Sequence, residues 1–255
     1  MVWGLFLPSE FGRFFPDGDF EYNPATKDGE WRDRLRKHYL AQDPAEQLRL
    51  YDYREFDKDG LGAGFGAGEY PFYVTGKFTY GVGIKIGSDK HPFVPAEVHE
   101  APKSFHSGKS YSSLGGLMKL TDRIIAVREE LKQIIEELEP NVHQFFPIEL
   151  SMPKMKGEVG KYYTLVVGQY LDSFLPDESK AESFRSYEKY PGFYNAELSK
   201  KGLSGLAFRE QEISGAHLWR ERGFRETLTC FSNQLIAEVA SAGLDIPTHY
   251  KMREY

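Results

Sequence analysis

The sequence predicts an α+β fold: a mixed β-sheet flanked by helices, with two similar strand–helix–strand units in the C-terminal half. Three observations lead there. The stretch Arg123–Leu150 passes from the β-branched run Ile124-Ile125-Ala126-Val127 through a helical segment to a second strand-like run, His143–Leu150. Within it, Leu131, Ile134, Ile135 and Leu138 recur at the spacing of one helical face, with Glu129, Glu130, Glu136 and Glu137 on the other side. Pro140-Asn141 ends that helix, because proline lacks a donor and disfavours a helical residue before it. A later helix repeats the pattern: an offset of 104 residues aligns Leu131, Ile135 and Leu138 with Leu235, Val239 and Ala242. That helix lies between Thr227–Phe231 and Ile246–Tyr255, both strand-like. Finally, Lys161–Tyr170 is a nearly continuous aromatic and β-branched run that supplies further sheet. The two units are expected to feed one mixed sheet.

The remaining elements follow in order. Residues 1–25 are aromatic and punctuated by Pro8, Pro16 and Pro24, and read as a short strand or extended segment packed on the body. Trp31, Leu35 and Tyr39 recur at helical spacing and predict an amphipathic helix over 29–41. Asp43-Pro44-Ala45-Glu46 is a helix start, with Asp43 as N-cap and Pro44 at the first helical position. Leu50–Tyr53 alternates like a strand. Tyr70–Thr75 and Lys77–Ile86 have strand composition, with a connection near Gly76. Pro92, Pro95 and Pro102 mark a connector, and Ser104–Gly116 reads as a loop and a boundary between a part spanning 1–109 and a domain spanning 110–255. Asp172–Glu197 is expected to be loop with broken helix, and Gly202–Glu210 a strand. The second unit has an N-cap, Ser232; the first has Arg128 at the matching place.

Composition narrows the function. The chain has 255 residues and a net charge of −6, which argues against nonspecific nucleic-acid or anionic-membrane binding. No run approaches the roughly 18 apolar residues of a membrane span, and the N-terminus has no basic start to a signal peptide. A cytoplasmic location is expected. The single cysteine, Cys230, excludes an internal disulfide and a thiolate-rich zinc site, and sits in an apolar run as a buried small hydrophobe.

Catalytic and cofactor motifs fail on context, so no catalytic residue, cofactor or metal is expected. Gly62–Ala67 formally contains a dinucleotide-binding spacing, but its approach is polar and its exit, Glu69-Tyr70-Pro71, does not open a long helix. Glu55, Asp57, Asp59 and Gly60 alternate like a calcium loop, yet the twelfth position is Gly66 where a bidentate glutamate belongs. Gly108-Lys109-Ser110 has the end of a phosphate-binding loop without its beginning. None of the seven histidines pairs with another at helical metal-site spacing; His91, His99 and His106 lie in the connector and converge only if it folds back. Gly215-Ala216-His217-Leu218-Trp219-Arg220 has two readings. Either Trp219 anchors the loop in the core with His217 hydrogen-bonded nearby, or His217, Trp219 and Arg220 form an exposed cluster of interface composition.

The string Glu136-Glu137-Leu138-Glu139-Pro140-Asn141-Val142-His143-Gln144-Phe145-Phe146-Pro147 resembles a bacterial family first catalogued as a domain of unknown function and later classed as immunity-protein family eleven of polymorphic toxin systems. The Tyr162–Val167 strand followed by Asp172, the Gly215–Trp219 string and the ending Ala242-Gly243-Leu244 after a Ser-capped helix are similar too. The resemblance covers roughly residues 110–255, and Arg128 in place of a capping residue departs from it. It implies a cytoplasmic protein that binds and neutralises a cognate toxin by protein–protein contact, without catalysis. An acidic inhibitor suits a basic toxin, since complementary charge speeds encounter. The candidate partner-binding residues are Glu129, Glu130, Glu136, Glu137, His217, Trp219 and Arg220. The alternative is a small-ligand-binding protein or enzyme built on the Gly60–Gly68 loop and the histidines of 91–106.

Overall fold

The computed structural model describes residues 1–51, 69–79, 94–154, 160–186, 192–224 and 228–255. The Gly60–Gly68 loop, the calcium-loop-like residues and His91 lie outside the described residues.

The chain opens with β1 (Val2–Leu5), followed by β2 (Gly18–Phe20) and a small ladder of β3 (Tyr22–Asn23) and β4 (Asp28–Gly29). Helix α1 (Trp31–Leu40) buries Trp31, Leu35 and Tyr39, the stripe its sequence spacing predicts. In α2 (Pro44–Leu50), the Asp43 carboxylate accepts from the N–H groups of Ala45 and Glu46, the expected cap. Next comes α3 (Tyr70–Thr79), where strands are expected from composition. Its buried residues include Tyr70, Val74 and Phe78, which are one helical face. The β-branched threonines are accommodated because each hydroxyl donates to the carbonyl four residues back: Thr75 to Pro71 at 2.8 Å and Thr79 to Thr75 at 2.9 Å. Pro71 sits in the first turn, where its missing N–H has no intrahelical acceptor. Tertiary burial has overridden strand propensity.

Strand β5 (Ser104–Ser107) occupies the start of the expected Ser/Gly loop, and β6 (Leu117–Lys119) follows. The first strand–helix–strand unit is β7 (Ile125–Arg128), α4 (Glu129–Leu138) and β8 (Gln144–Ser151). Then come β9 (Tyr162–Val166), β10 (Tyr170–Leu171), β11 (Phe184–Ser186), β12 (Tyr194–Ala196), the short α5 (Lys200–Leu203), β13 (Ala207–Phe208) and the short α6 (Glu210–Ile213). So Gly202–Glu210 is mostly helix end and turn, with strand at Ala207–Phe208 alone. β14 (Leu218–Glu221) leads to the second unit, β15 (Leu228–Ser232), α7 (Asn233–Ser241) and β16 (His249–Lys251), and β17 (Arg253–Glu254) ends the chain.

The two units are the same structure. In the first, β7 and β8 flank β9 and both run antiparallel to it, so α4 crosses over one intervening strand. In the second, β15 and β16 flank β1 in the same way and α7 makes the crossover. They do not share one sheet as expected. The first sits in a six-stranded sheet ordered β2-β5-β8-β9-β7-β6, the second in a five-stranded sheet ordered β10-β14-β15-β1-β16. Both sheets are mixed, through the parallel pairs β5–β8 and β10–β14. β1 is central to the second sheet and β2 and β5 belong to the first, so the described part of residues 1–109 contributes strands to both sheets.

Side-chain alternation then builds three cores. Ile125, Val127 and Leu165 join Leu5, Leu218 and Phe231 from the other sheet, together with Leu131, Ile135, Leu235 and Val239 of α4 and α7. The opposite face of the six-stranded sheet, with Ala126, Phe146 and Val166, packs on α1 and α3 through Trp31, Leu35, Val74 and Phe78. The opposite face of the five-stranded sheet, with Val2, Trp219 and Cys230, packs on Leu203, Phe208 and Met252. Cys230 is buried, and burial pushes its thiol well above the ordinary range.

The matched N-caps differ in chemistry. Ser232 Oγ accepts from Leu235 N at 3.0 Å, whereas Arg128, in the same extended conformation, makes no capping bond and reaches Glu130 at 3.2 Å. Arg128→Ser is therefore expected to stabilise the fold by about 1 kcal/mol, the ordinary value of a serine cap, read as a rise of a few degrees in Tm. An unchanged or lower Tm would mean that the Arg128–Glu130 pair outweighs the missing cap.

Candidate functional site

The two strings singled out in the sequence, Glu136–Pro147 and Gly215–Trp219, meet in one buried polar knot, the first through Glu139 and His143. Glu139 is the C-cap of α4 and is almost wholly buried. Its carboxylate accepts from His143 Nε2 at 2.9 Å, Gln169 Nε2 at 3.2 Å, His217 N at 2.7 Å and Leu218 N at 2.9 Å. His143 Nδ1 accepts from Gly168 N at 3.2 Å, which leaves the proton on Nε2, facing Glu139. Gly168 is obligatory at this point: a Cβ there would lie 1.9 Å from the Val142 carbonyl oxygen. His217 Nδ1 in turn lies 2.9 Å from Ser232 Oγ, the cap of α7. One carboxylate thus joins the end of α4, the β9–β10 connection and the first residues of β14, and His217 extends the network to α7. Burial opposes ionisation of Glu139, but the imidazole of His143 and the N–H groups of His217 and Leu218 hold its carboxyl below the ordinary range.

This geometry is structural. Ser232, His217 and Glu139 superficially form a hydroxyl–imidazole–carboxylate set, but Glu139 meets the backbone N–H of His217 and not its ring. No relay runs from the carboxylate through the imidazole to the hydroxyl. Ser232 Oγ is also engaged by the Leu235 N–H.

Two other buried charges have equally internal work. Glu100 is fully buried and accepts from Lys77 Nζ at 2.6 and 2.8 Å, Tyr70 OH at 2.9 Å and Glu97 N at 2.7 Å, fixing α3 against the connector. Burial and the Glu100 carboxylate push the Tyr70 phenol up. Arg220 donates to the Phe78 and Thr79 carbonyls at the end of α3, where a cation offsets the helix dipole.

The sequence-derived candidates fall into two groups. Trp219 and Arg220 are interior, at 1% and 2% exposure, so the exposed His/Trp/Arg cluster does not form; Trp219 anchors β14 in the core and His217 is hydrogen-bonded beside it. The glutamates of α4 are on the surface, with Glu130, Glu136 and Glu137 exposed and Glu129 half-buried. Glu129 pairs with Lys161 at 3.4 Å and Glu130 with Arg128 at 3.2 Å, while Glu136 pairs with Lys132. The face is a mixed-charge surface more than an acidic one. His99 and His106 do not converge: His99 lies against His38 with the rings tilted by 34° and centroids 4.1 Å apart, and His106 stacks on Tyr22 and contacts Ser151. Among the described residues no group of His, Cys, Asp and Glu is arranged to hold a metal ion. Lys109 pairs with Asp17 at 3.0 Å and Ser110 donates to the Pro153 carbonyl, so the Gly108–Ser110 string fastens a loop.

Glu139, although part of the Glu136–Pro147 string, is not among the candidate site residues read from the sequence, and neither is Gln169. The usable signal was a carboxylate at a helix end with histidine four residues on, immediately before an apolar strand.

Among the described residues no helix is long and apolar enough to cross a membrane. No curated protein matches the chain. A family model described as "Immunity protein family (Imm11)" matches residues 46–251, a span that contains both strings of the knot and both crossover helices. With most of its length inside that match, the chain belongs to the Imm11 immunity-protein family.

Proposed function

We propose that this chain is the immunity partner of a bacterial toxin, acting in the cytoplasm by direct protein–protein contact and without catalysis. The observation that carries this reading is the use made of the motif residues within the family match. Glu139, His143, His217 and Ser232 all bond internally, so these polar residues specify a scaffold and leave recognition to its surface. The exposed side of α4 is the surface we assign to the toxin. It projects Glu130, Glu136 and Glu137 from a helix fixed on one side by Leu131 and Ile135, and Glu137 has no ion-pair partner among the described residues. A rigid helix face of this kind lowers the ordering cost of binding, and its carboxylates favour a basic toxin surface.

Two experiments separate the parts of this reading. Co-expression with the product of the neighbouring gene should rescue growth and yield a complex; a neighbour neither toxic nor bound removes the immunity reading. Reversing Glu130, Glu136 and Glu137 together to lysine should weaken the complex by about tenfold or more, a loss of about 1.4 kcal/mol, with the Tm of the free protein little changed. Undiminished affinity would move the toxin-binding surface elsewhere while leaving the immunity reading intact.

A further inference from the structure

Two imidazoles face each other where α1 meets the connector. His38 lies in the last turn of α1 and His99 in the turn at 98–100, with ring centroids 4.1 Å apart. The hydrogen bonds around His99 fix where its proton sits. Tyr70 gives its one hydroxyl proton to Glu100 Oε1 at 2.9 Å. The phenol oxygen is then an acceptor, so His99 Nε2, 3.2 Å away, carries the N–H of the neutral ring. Nδ1 is left bare, 3.4 Å from Glu97 Oε2, a contact that is favourable only once Nδ1 is protonated. A proton taken up by His99 therefore enters between the ring and Glu97, and sets a charged ring against His38.

The surrounding charge leaves room for one such proton. Among the described residues, the groups facing the pair come from four elements. Helix α1 contributes Arg34, which donates to the His99 carbonyl and is matched by Glu21. Helix α2 contributes Glu46 and Arg49, the latter bonded to Glu46 at 2.7 Å and to Glu97 at 3.0 Å. The connector contributes Glu97 and Glu100, and α3 contributes Tyr70 and Lys77, with Lys77 on Glu100 at 2.6 Å. With Arg34 matched, the carboxylates of Glu46, Glu97 and Glu100 face the cations of Arg49 and Lys77. The surplus is a single negative charge, which accommodates one imidazolium and not two.

We infer that His38 and His99 form a proton-sensitive clasp, whose rings stay in contact while at most one is charged and part when both are. Histidine is the side chain that changes charge near neutral pH, and like charges in contact disfavour each other. His99 is held at both ring nitrogens and at its carbonyl, so His38 is the ring that leaves. The junction behind it stays closed, because Trp31 Nε1 donates to the Glu100 carbonyl at 2.9 Å and Arg34 to the Ala101 carbonyl at 2.8 Å. What loosens is the last turn of α1 against the turn at 98–100. Burial and the His38 ring push the His99 imidazole down. The clasp's contribution is therefore complete above the ordinary value of 6.5 and is lost as pH falls through the lower folded value. This device is independent of the toxin-binding reading, which rests on the outer face of α4.

The test is NMR of the histidine rings in the full chain across a pH titration. Above the His99 midpoint a nuclear Overhauser contact should join the two rings. Below it that contact should vanish while the Trp31 indole N–H signal keeps its position. His38→Gln should raise the proton affinity of His99 by about threefold or more, as a neighbouring like charge is removed. Glu97→Gln should lower it, as the carboxylate beside Nδ1 is lost. Both positions are half-buried, so both variants should fold. An unchanged His99 affinity in either variant, a ring contact that persists through the titration, or its loss together with the Trp31 signal would overturn the inference.

Discussion

Replacing Glu139 by alanine is expected to destabilise the protein by about 4 kcal/mol, the range for removing one partner from a buried, hydrogen-bonded charge network. The substitution deletes an acceptor used by four donors, two of them the backbone N–H groups of His217 and Leu218. Those N–H groups sit at the start of β14, and a buried donor without an acceptor loses its full solvation. For a chain of this size the change corresponds to a fall in Tm on the order of 10 °C. Glu139→Gln should fall between wild type and alanine. Its amide keeps one acceptor oxygen but turns a donor toward other donors. A double-mutant cycle with His143 should show coupling of roughly 1 kcal/mol or more, because the two side chains share one hydrogen bond and one buried site. The pH sign follows from the depressed carboxyl: this stabilisation is fully present above the ordinary value of 4.5 and is lost as pH falls through the lower folded value. A Tm for Glu139→Ala within about 2 °C of wild type, well under the shift of one deleted buried hydrogen bond network, would show that the knot does not hold the sheets together.

What the sequence disclosed, and what it hid, divides by the range of the interactions. The stripes Trp31–Leu35–Tyr39 and Leu131–Ile135, the Asp43 and Ser232 caps and the 104-residue offset are local or periodic, and each has its counterpart in α1, α2, α4 and α7. Helix α3 was misread because Thr75, Thr79 and Val74 have strand composition; the spacing of Tyr70, Val74 and Phe78 was the better signal. The placement of the units in two sheets was not legible, since it depends on Val2 pairing with Ser232 across nearly the whole chain. The knot was illegible for the same reason. Glu139 and His217 lie 78 residues apart, and neither string alone shows that the other supplies its partner. Charge pattern misled in a different way. The glutamates of α4 form an acidic side in the sequence, but Lys161, from β9's leading edge, and Arg128 approach from outside the helix and moderate it.

Glu221→Gln is expected to flatten the dependence of stability on pH and to make the variant the more stable protein under alkaline conditions. Glu221 is fully buried at the end of β14. Burial pushes its carboxyl up to about 8, against hydrogen bonds from Ser173 and Phe174 that favour the charged form. The Ser173 and Phe174 N–H groups both meet Oε1, at 2.9 and 3.1 Å, while Oε2 lies 2.6 Å from Ser173 Oγ. A protonated carboxyl satisfies this set: Oε1 accepts twice and Oε2–H donates to the serine hydroxyl. Glutamine reproduces that pattern at every pH. The sign follows from linkage. The folded carboxyl is raised above its ordinary value of 4.5, so between about 4.5 and about 8 the folded state holds a proton that the unfolded state releases. The associated stability is complete below that window and is lost as pH rises through it, by at most about 1.4 kcal/mol per pH unit. Urea denaturation at several pH values across the window should therefore show wild type falling and Glu221→Gln holding nearly level, with the two proteins similar at the acidic end. The difference between them isolates this one group from histidines such as His99, whose imidazole burial and the neighbouring His38 push down. Parallel curves for the two proteins would mean that Glu221 is ionised in the folded state, and that its bonds to Ser173 and Phe174 outweigh its burial.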